Sequence, residues 1–282
     1  MGPEVARSGL AGEASVGEVL VRAGSMLSRE GCDSPRLDAE LLLASVRGTT
    51  RTRLLLDDGL VLDDEERTRF HGLLSRRAAR EPVAYILGRR EFRRISLAVD
   101  SRVLIPRPET ELLVELGLSL PTGTRVADVG TGSGAVALAL KDERPDLEVS
   151  GIDSSADALA VARANARRLG IDVRFVQADL LEGAGCEYEA VLANLPYVAD
   201  DCAELEPEVA RYEPPRALFG GLDGLDVVRR LVSMLGRVAL VALEVGFDQS
   251  DAVAELLRDG GFAAVERLRD LAGHERVLVG RR

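Results

Sequence analysis

Histidine is almost missing from this chain: His71 and His274 are the only two in 282 residues, and they lie far apart. That scarcity excludes a histidine-rich metal centre and leaves no ready Ser–His–Asp triad. Cys32, Cys186 and Cys202 are odd in number and scattered, so they form neither a disulfide framework nor a zinc-ligand spacing. Lysine is reduced to Lys141, with arginine supplying every other basic residue, a codon bias rather than a chemical signal. No apolar run approaches membrane-spanning length, and the N-terminus lacks a basic segment followed by an apolar core. A reducing cytoplasm, no membrane and no metal are the expectations.

What remains is an ordinary globular composition, 46% hydrophobic and 29% charged, long enough for one medium domain and a smaller one. The net charge of −11 argues against a broad phosphate-binding surface. Direct nucleic-acid binding is therefore not expected. Residues 1–90 balance 14 arginines against 14 acids, while residues 91–282 carry 22 basic and 33 acidic side chains. Any nucleic-acid contact would fall in the first third.

Residues 1–81 read as a small helical bundle. Ser15-Val-Gly-Glu18 is a capping-box pattern, and Val19, Leu20, Ala23 and Leu27 follow on one face. Asp33-Ser34-Pro35 starts a second helix, with Leu37, Leu41 and Leu42 leading to a stop at Gly48. A third begins near Asp63 and carries Phe70, Leu73, Leu74 and Ala78. From 82 to 106, Tyr85–Gly88 and Ile95–Val99 flank the basic run Arg89–Arg94, which suggests a β-hairpin linker. From 107 to 282, short apolar strands at 126–129, 149–152, 173–176 and 190–193 alternate with helices, the signature of a doubly wound α/β sheet. After the strand 238–243, two strands around a short turn (262–268, 276–280) suggest an antiparallel finish, as in the S-adenosylmethionine methyltransferase fold.

Two motifs carry chemistry. Gly130, Thr131, Gly132, Ser133 and Gly134 sit between the first strand and its helix, where absent side chains let a ligand approach the backbone. Gly130-x-Gly132-x-x-Ala135, with Asp153 at ribose-binding distance, also fits a dinucleotide fingerprint, so NAD is open on these residues. Asp128 shifts the balance, because a carboxylate there suits the cationic amino-acid end of S-adenosylmethionine better than a pyrophosphate. Asp153 would hold ribose hydroxyls. Asp179 would reach the adenine amino group or else cap a helix. The second motif is Asn194-Leu195-Pro196-Tyr197. A planar NH2 is a poor nucleophile and must be held and aimed. The Asn194 side-chain oxygen and the Leu195 carbonyl can accept its two hydrogens, Pro196 stiffens the chain, and Tyr197 can stack on the flat group.

With these residues in place, the chain resembles the peptide chain release factor glutamine methyltransferases (PrmC/HemK). The likeness runs from about Leu37 to the C-terminus. It is carried by Glu81–Gly88 with Phe92, by Leu104-Ile-Pro-Arg-Pro-Glu-Thr-Glu111, by the glycine loop, by Tyr212–Leu225 and by Glu275–Gly280. The resemblance implies a class I S-adenosylmethionine-dependent methyltransferase, a Rossmann-like seven-stranded sheet behind a helical substrate-recognition domain. It implies S-adenosylmethionine as methyl donor (S-adenosylhomocysteine as product) and class I release factors as partners. The acceptor would be the side-chain nitrogen, N5, of the glutamine in their Gly-Gly-Gln loop. By position it places cofactor contacts on Gly130–Gly134, Asp153, Leu180 and Asn194 and glutamine binding on Asn194–Tyr197, and it ties the Arg107 stretch to the protein substrate.

The family usually has Asn-Pro-Pro-Tyr. Leu195 departs from it and looks like the motif of adenine-N6 dimethylases, so an adenine-N6 methyltransferase acting on RNA or DNA is the alternative. A binding protein that keeps the fold without turnover, and an NAD-dependent dehydrogenase, stand further back.

Overall fold

Ser15 opens the first helix because its hydroxyl accepts the Glu18 amide while Glu18 accepts the Ser15 amide, so two orphan donors are satisfied at once. The computed structural model describes residues 14–185, 187–202 and 205–282. Cys186 and the N-terminal stretch expected to carry no leader lie outside them. Two compact units are formed, one from residues 14–88 with 206–212 and one from the rest.

The first unit contains α1 (Val16–Arg29), α2 (Pro35–Val46), α3 (Arg51–Leu56), α4 (Asp64–Ala78) and α5 (Val83–Leu87). A second capping box, Asp63 with Glu66, starts α4. Val19, Leu20 and Leu27 of α1 meet Leu42 and Leu43 of α2 and Phe70 and Leu74 of α4 in one core. The expected stripe on α2 is displaced: Leu37 is exposed, while Asp38 and Glu40 are buried. Charge pairing explains it. Glu40 accepts from Arg36 and Arg51 at 2.6 Å each, and Asp38 accepts from Arg77 at 2.7 Å. Arg77 and Arg80 also bind Glu208 of the later segment.

The linker expectation needs correcting. Tyr85–Leu87, read as strand, lie in α5, which Pro82 precedes and Gly88 closes in a left-handed conformation. The hairpin is instead made by the basic run itself, β1 (Arg89–Phe92) pairing with β2 (Ile95–Ala98). Arg93 turns it at φ +49° and binds Glu143, so this arginine stabilises the turn rather than offering a free surface.

The second unit continues with α6 (Glu111–Leu118), β3 (Arg125–Val129), α7 (Ala135–Glu143), β4 (Glu148–Asp153), α8 (Ala156–Leu169), β5 (Arg174–Gln177) and β6 (Ala190–Asn194). After α9 (Pro207–Tyr212), which belongs to the first unit, come α10 (Asp226–Met234), β7 (Leu240–Glu244), α11 (Ser250–Asp259), β8 (Ala264–Arg269) and β9 (Glu275–Arg281). The seven strands lie in the order β5-β4-β3-β6-β7-β9-β8. Neighbours from β5 to β7 are parallel, and β9 runs antiparallel to both β7 and β8. This is the class I methyltransferase sheet. No helix among the described residues is long and apolar enough to cross a membrane.

Arg77 is 5% exposed and serves two acids from distant parts of the chain, so its loss would strand Asp38 and leave Glu208 to Arg80 alone. Arg77→Ala should cost about 3–5 kcal/mol, the range for breaking a buried pair from one side. Denaturant unfolding checks it, and a loss within error of zero would mean the acids find water instead.

Candidate active site

The strand order reverses between β3 and β6, and a ligand crevice is expected outside the carboxyl ends of the strands at such a point. A cavity of about 250 Å³ lies there. Gly130 and Gly132 line it after β3, Asp153 at the end of β4, Asp179 and Leu180 after β5, and Asn194, Leu195 and Pro196 at the end of β6. One cavity thus gathers eight of the residues singled out from the sequence.

Gly130 sits at φ +76°, and a Cβ there would come within 3.2 Å of the Asn194 carbonyl oxygen and of the Leu195 side chain. Only glycine lets the loop close on β6 in this way. Asp153 fixes the loop from the other side, one oxygen accepting the Gly132 amide at 2.9 Å and the other the Ser155 amide at 2.8 Å. Each oxygen keeps a lone pair for a ligand hydroxyl.

Other residues are placed differently. Asp128 does not reach the cavity: it is 2% exposed and lies behind the glycine loop, where one oxygen accepts both the Thr131 hydroxyl at 2.6 Å and the Ala137 amide at 3.0 Å. Thr131 and Ser133 are buried with it, and Gly134 caps α7 at φ +84°. Asp179 opens a turn rather than a helix, so the capping role weighed for it does not arise; it binds Arg230 at 2.7 Å. Leu180 follows at φ +55°. Tyr197 stands away from the cavity wall, its phenol raised to about 12 by burial and by Glu244 beside it. Arg107 is held by the buried Glu213.

The Asn194–Tyr197 segment is pinned from behind. Gly220 sits so close that a Cβ would meet the Pro196 carbonyl at 2.4 Å, Val198 exchanges backbone bonds with Leu218 and Gly220, and Gln249 donates to the Tyr197 carbonyl at 2.9 Å. Asn194 donates its Nδ2 to the Thr110 hydroxyl at 3.1 Å. Two residues of this constellation were passed over in the sequence. Thr110 lay unremarked inside Arg107–Glu111. Glu244 is 2% exposed and pushed up to about 7 by burial, yet it ends an otherwise apolar strand, which is the signal that marks it.

Residues 18–88 match the family described as the PrmC N-terminal domain, and residues 108–210 match the methyltransferase small domain. A release factor glutamine methyltransferase of Rhodospirillum rubrum is 42% identical, covering 95% of this chain and 85% of that protein. One of Caulobacter vibrioides is 41% identical, covering 92% and 93%. Among solved structures, the hMettl16 catalytic domain in complex with MAT2A 3′UTR hairpin 6 covers 74% of this chain and 81% of its own at a TM-score of 0.56 and 18% identity, a likeness of fold alone.

Burial holds the Asp128 carboxyl at about 7, with Asp153 adding to it and the Thr131 and Ala137 bonds opposing. The unfolded chain ionises this group near pH 4, so its contribution to stability is complete below about pH 4 and lost as pH climbs to about 7. Asp128→Asn keeps an oxygen for both bonds and cannot ionise. Its melting temperature should approach the wild type's near pH 4 and exceed it increasingly up to pH 8; a gap independent of pH would clear Asp128 as the cause.

Proposed function

The chain belongs to the release factor glutamine methyltransferase family, and we propose that it methylates N5 of the glutamine in the Gly-Gly-Gln loop of class I translation release factors, with S-adenosylmethionine as donor. The observation that carries this reading is Asn194: at the rim of the cavity, with its nitrogen already committed to Thr110, it presents an oxygen to a planar NH2. The Leu195 carbonyl follows at once in the chain to accept the second hydrogen, and the loop packed behind Pro196 keeps the pair rigid.

The residues present fit the donor. Gly130 and Gly132 leave room against the backbone for its amino-acid end, Asp153 has lone pairs for ribose hydroxyls, and Asp179 and Leu180 close the far side of the cavity. Asp128 acts through the loop it shapes. When bound, S-adenosylmethionine supplies an electrophilic methyl group on a sulfonium. The protein's part is to hold the amide in one plane, exclude water and offer fixed dipoles where charge disperses. The nitrogen becomes acidic as it is alkylated, and its proton leaves to water, so no general base is required.

Leu195 does not turn the reading towards adenine. Its side chain is 4% exposed and packs with Val129 and Ala193 in the core beneath Gly130, so the substitution is absorbed by packing. A cytoplasmic location follows from the substrate. Tyr197 is the residue of the motif that does not line the cavity.

Purified protein given radiolabelled S-adenosylmethionine should label a release factor and spare ribosomal RNA; label in RNA alone would overturn the substrate. Asn194→Ala should lower kcat by about a hundredfold or more, the scale for losing one preorganised transition-state contact, while cofactor affinity falls less. Leu195→Pro should keep near-wild-type kcat. Asp153→Ala should weaken cofactor binding by about 2–4 kcal/mol if two charge-assisted hydrogen bonds go. Calorimetry on a variant with an unaltered melting profile measures it, and unchanged affinity would remove Asp153 from the site.

A further inference from the structure

The end of β7 holds an acid that this chemistry leaves unused. Glu244 pairs in register with Asn194 of β6, and its Oε2 has no hydrogen-bond partner. Thr110, itself 4% exposed, stands between the two side chains. Its hydroxyl accepts Asn194 Nδ2 at 3.1 Å and lies close enough to the Glu244 carboxyl to favour its ionised form.

We propose that Glu244 and Thr110 are positioning residues that decide which end of the Asn194 amide faces the cavity. An ionised carboxylate only accepts, so the Thr110 hydroxyl must donate to Glu244. The Thr110 oxygen then accepts from Asn194 Nδ2, and Oδ1 is left for the substrate. The inference rests on the reading of Asn194 as the acceptor for a planar NH2.

The relay has one direction only while Glu244 is charged. A protonated carboxyl can donate to Thr110, which frees the hydroxyl to donate to Asn194. The amide can then turn its Nδ2 into the cavity, where it meets an incoming N–H with another N–H. Oxygen and nitrogen of an amide are nearly equal in size, so packing does not choose between these states and the hydrogen-bond network does. Burial raises Glu244 to about 7; the Thr110 bond, Arg276 and Arg107 oppose this, and Glu109 adds to it. The Tyr197 phenol faces it as well. Neither arginine is dedicated to Glu244, since Arg107 is held by Glu213 and Arg276 by Asp270. The relay therefore switches near neutral pH.

A ligand-free measurement tests it. In 15N-labelled protein, the Asn194 side-chain NH2 resonance, assigned by its loss in Asn194→Ala, should shift with a midpoint near pH 7. The shift should vanish in Glu244→Gln and persist in Asp128→Asn. Single-turnover methylation of a release factor should rise across the same pH range. Thr110→Val and Glu244→Gln should slow it about 10- to 100-fold, the effect expected from losing one buried hydrogen bond in the transition state, with cofactor Kd unchanged. Thr110→Ser should restore the rate. If Thr110→Val does not fold, Glu244→Gln and Thr110→Ser carry the comparison. A titrating resonance in a protein that methylates no release factor would support the relay while sinking the substrate reading. A resonance indifferent to Glu244→Gln, or wild-type rates in both variants, would overturn the relay.

Discussion

The reversal of strand order between β3 and β6 is the constraint from which the site follows. The chain leaves β3 towards β4 and leaves β6 towards β7, so the connections depart in opposite directions from two adjacent strand ends. The carboxyl end of that pair borders the cavity. Gly130 then decides how close the two ends come. Its φ of +76° and missing Cβ let the loop after β3 rest on the Asn194 carbonyl and on Leu195, so the glycine loop and the Asn194–Tyr197 segment are packed against each other. A change on one side of the crevice is felt on the other. That coupling explains why Leu195, although inside the motif, behaves as core.

Much of this arrangement is legible in the sequence because parallel strands buried on both faces leave runs such as Val126–Val129 and Ala190–Ala193 that read as strands without alternation. The ends of those runs mark the rim, which is why Asp153, Asp179 and Asn194 could be named in advance. The misreadings have a common physical source. Tyr85–Leu87 carry strand-favouring side chains, yet Pro82 and Gly88 at their flanks fix a helical turn. Leu37 fits a helical stripe, but the face of α2 that turns inward is set by arginines more than ten residues away in sequence. Local pattern does not see such partners. The same blindness applied to Asp128, whose place behind the loop depends on Thr131 and Ala137 satisfying one of its oxygens.

The near absence of lysine has a structural counterpart. Arginine carries several donors on one planar group, so one side chain can serve two acids, or two can share one, as among the buried acids here. Arg77 joins Asp38 to Glu208, Arg36 and Arg51 flank Glu40, and Arg107 holds Glu213. Burying such pairs gains little net stability, because desolvation offsets most of the attraction, but it penalises any arrangement that separates them. In the first unit this ties the segment 206–212 to helices more than a hundred residues earlier.

Among the described residues, six acids are buried: Asp38, Glu40, Asp128, Glu208, Glu213 and Glu244. Four have an arginine partner. Asp128 and Glu244 have none, and these two are pushed up to about 7. A purely structural role would be served as well by an amide, which keeps the hydrogen bonds without the cost of a buried charge. Both unpaired acids lie directly behind residues of the cavity, Asp128 under the glycine loop and Glu244 behind Asn194 through Thr110. The acids without a counter-charge are thus the two that border the cavity-lining segments; when ionised, a carboxylate accepts without being able to donate, whereas an amide can do either.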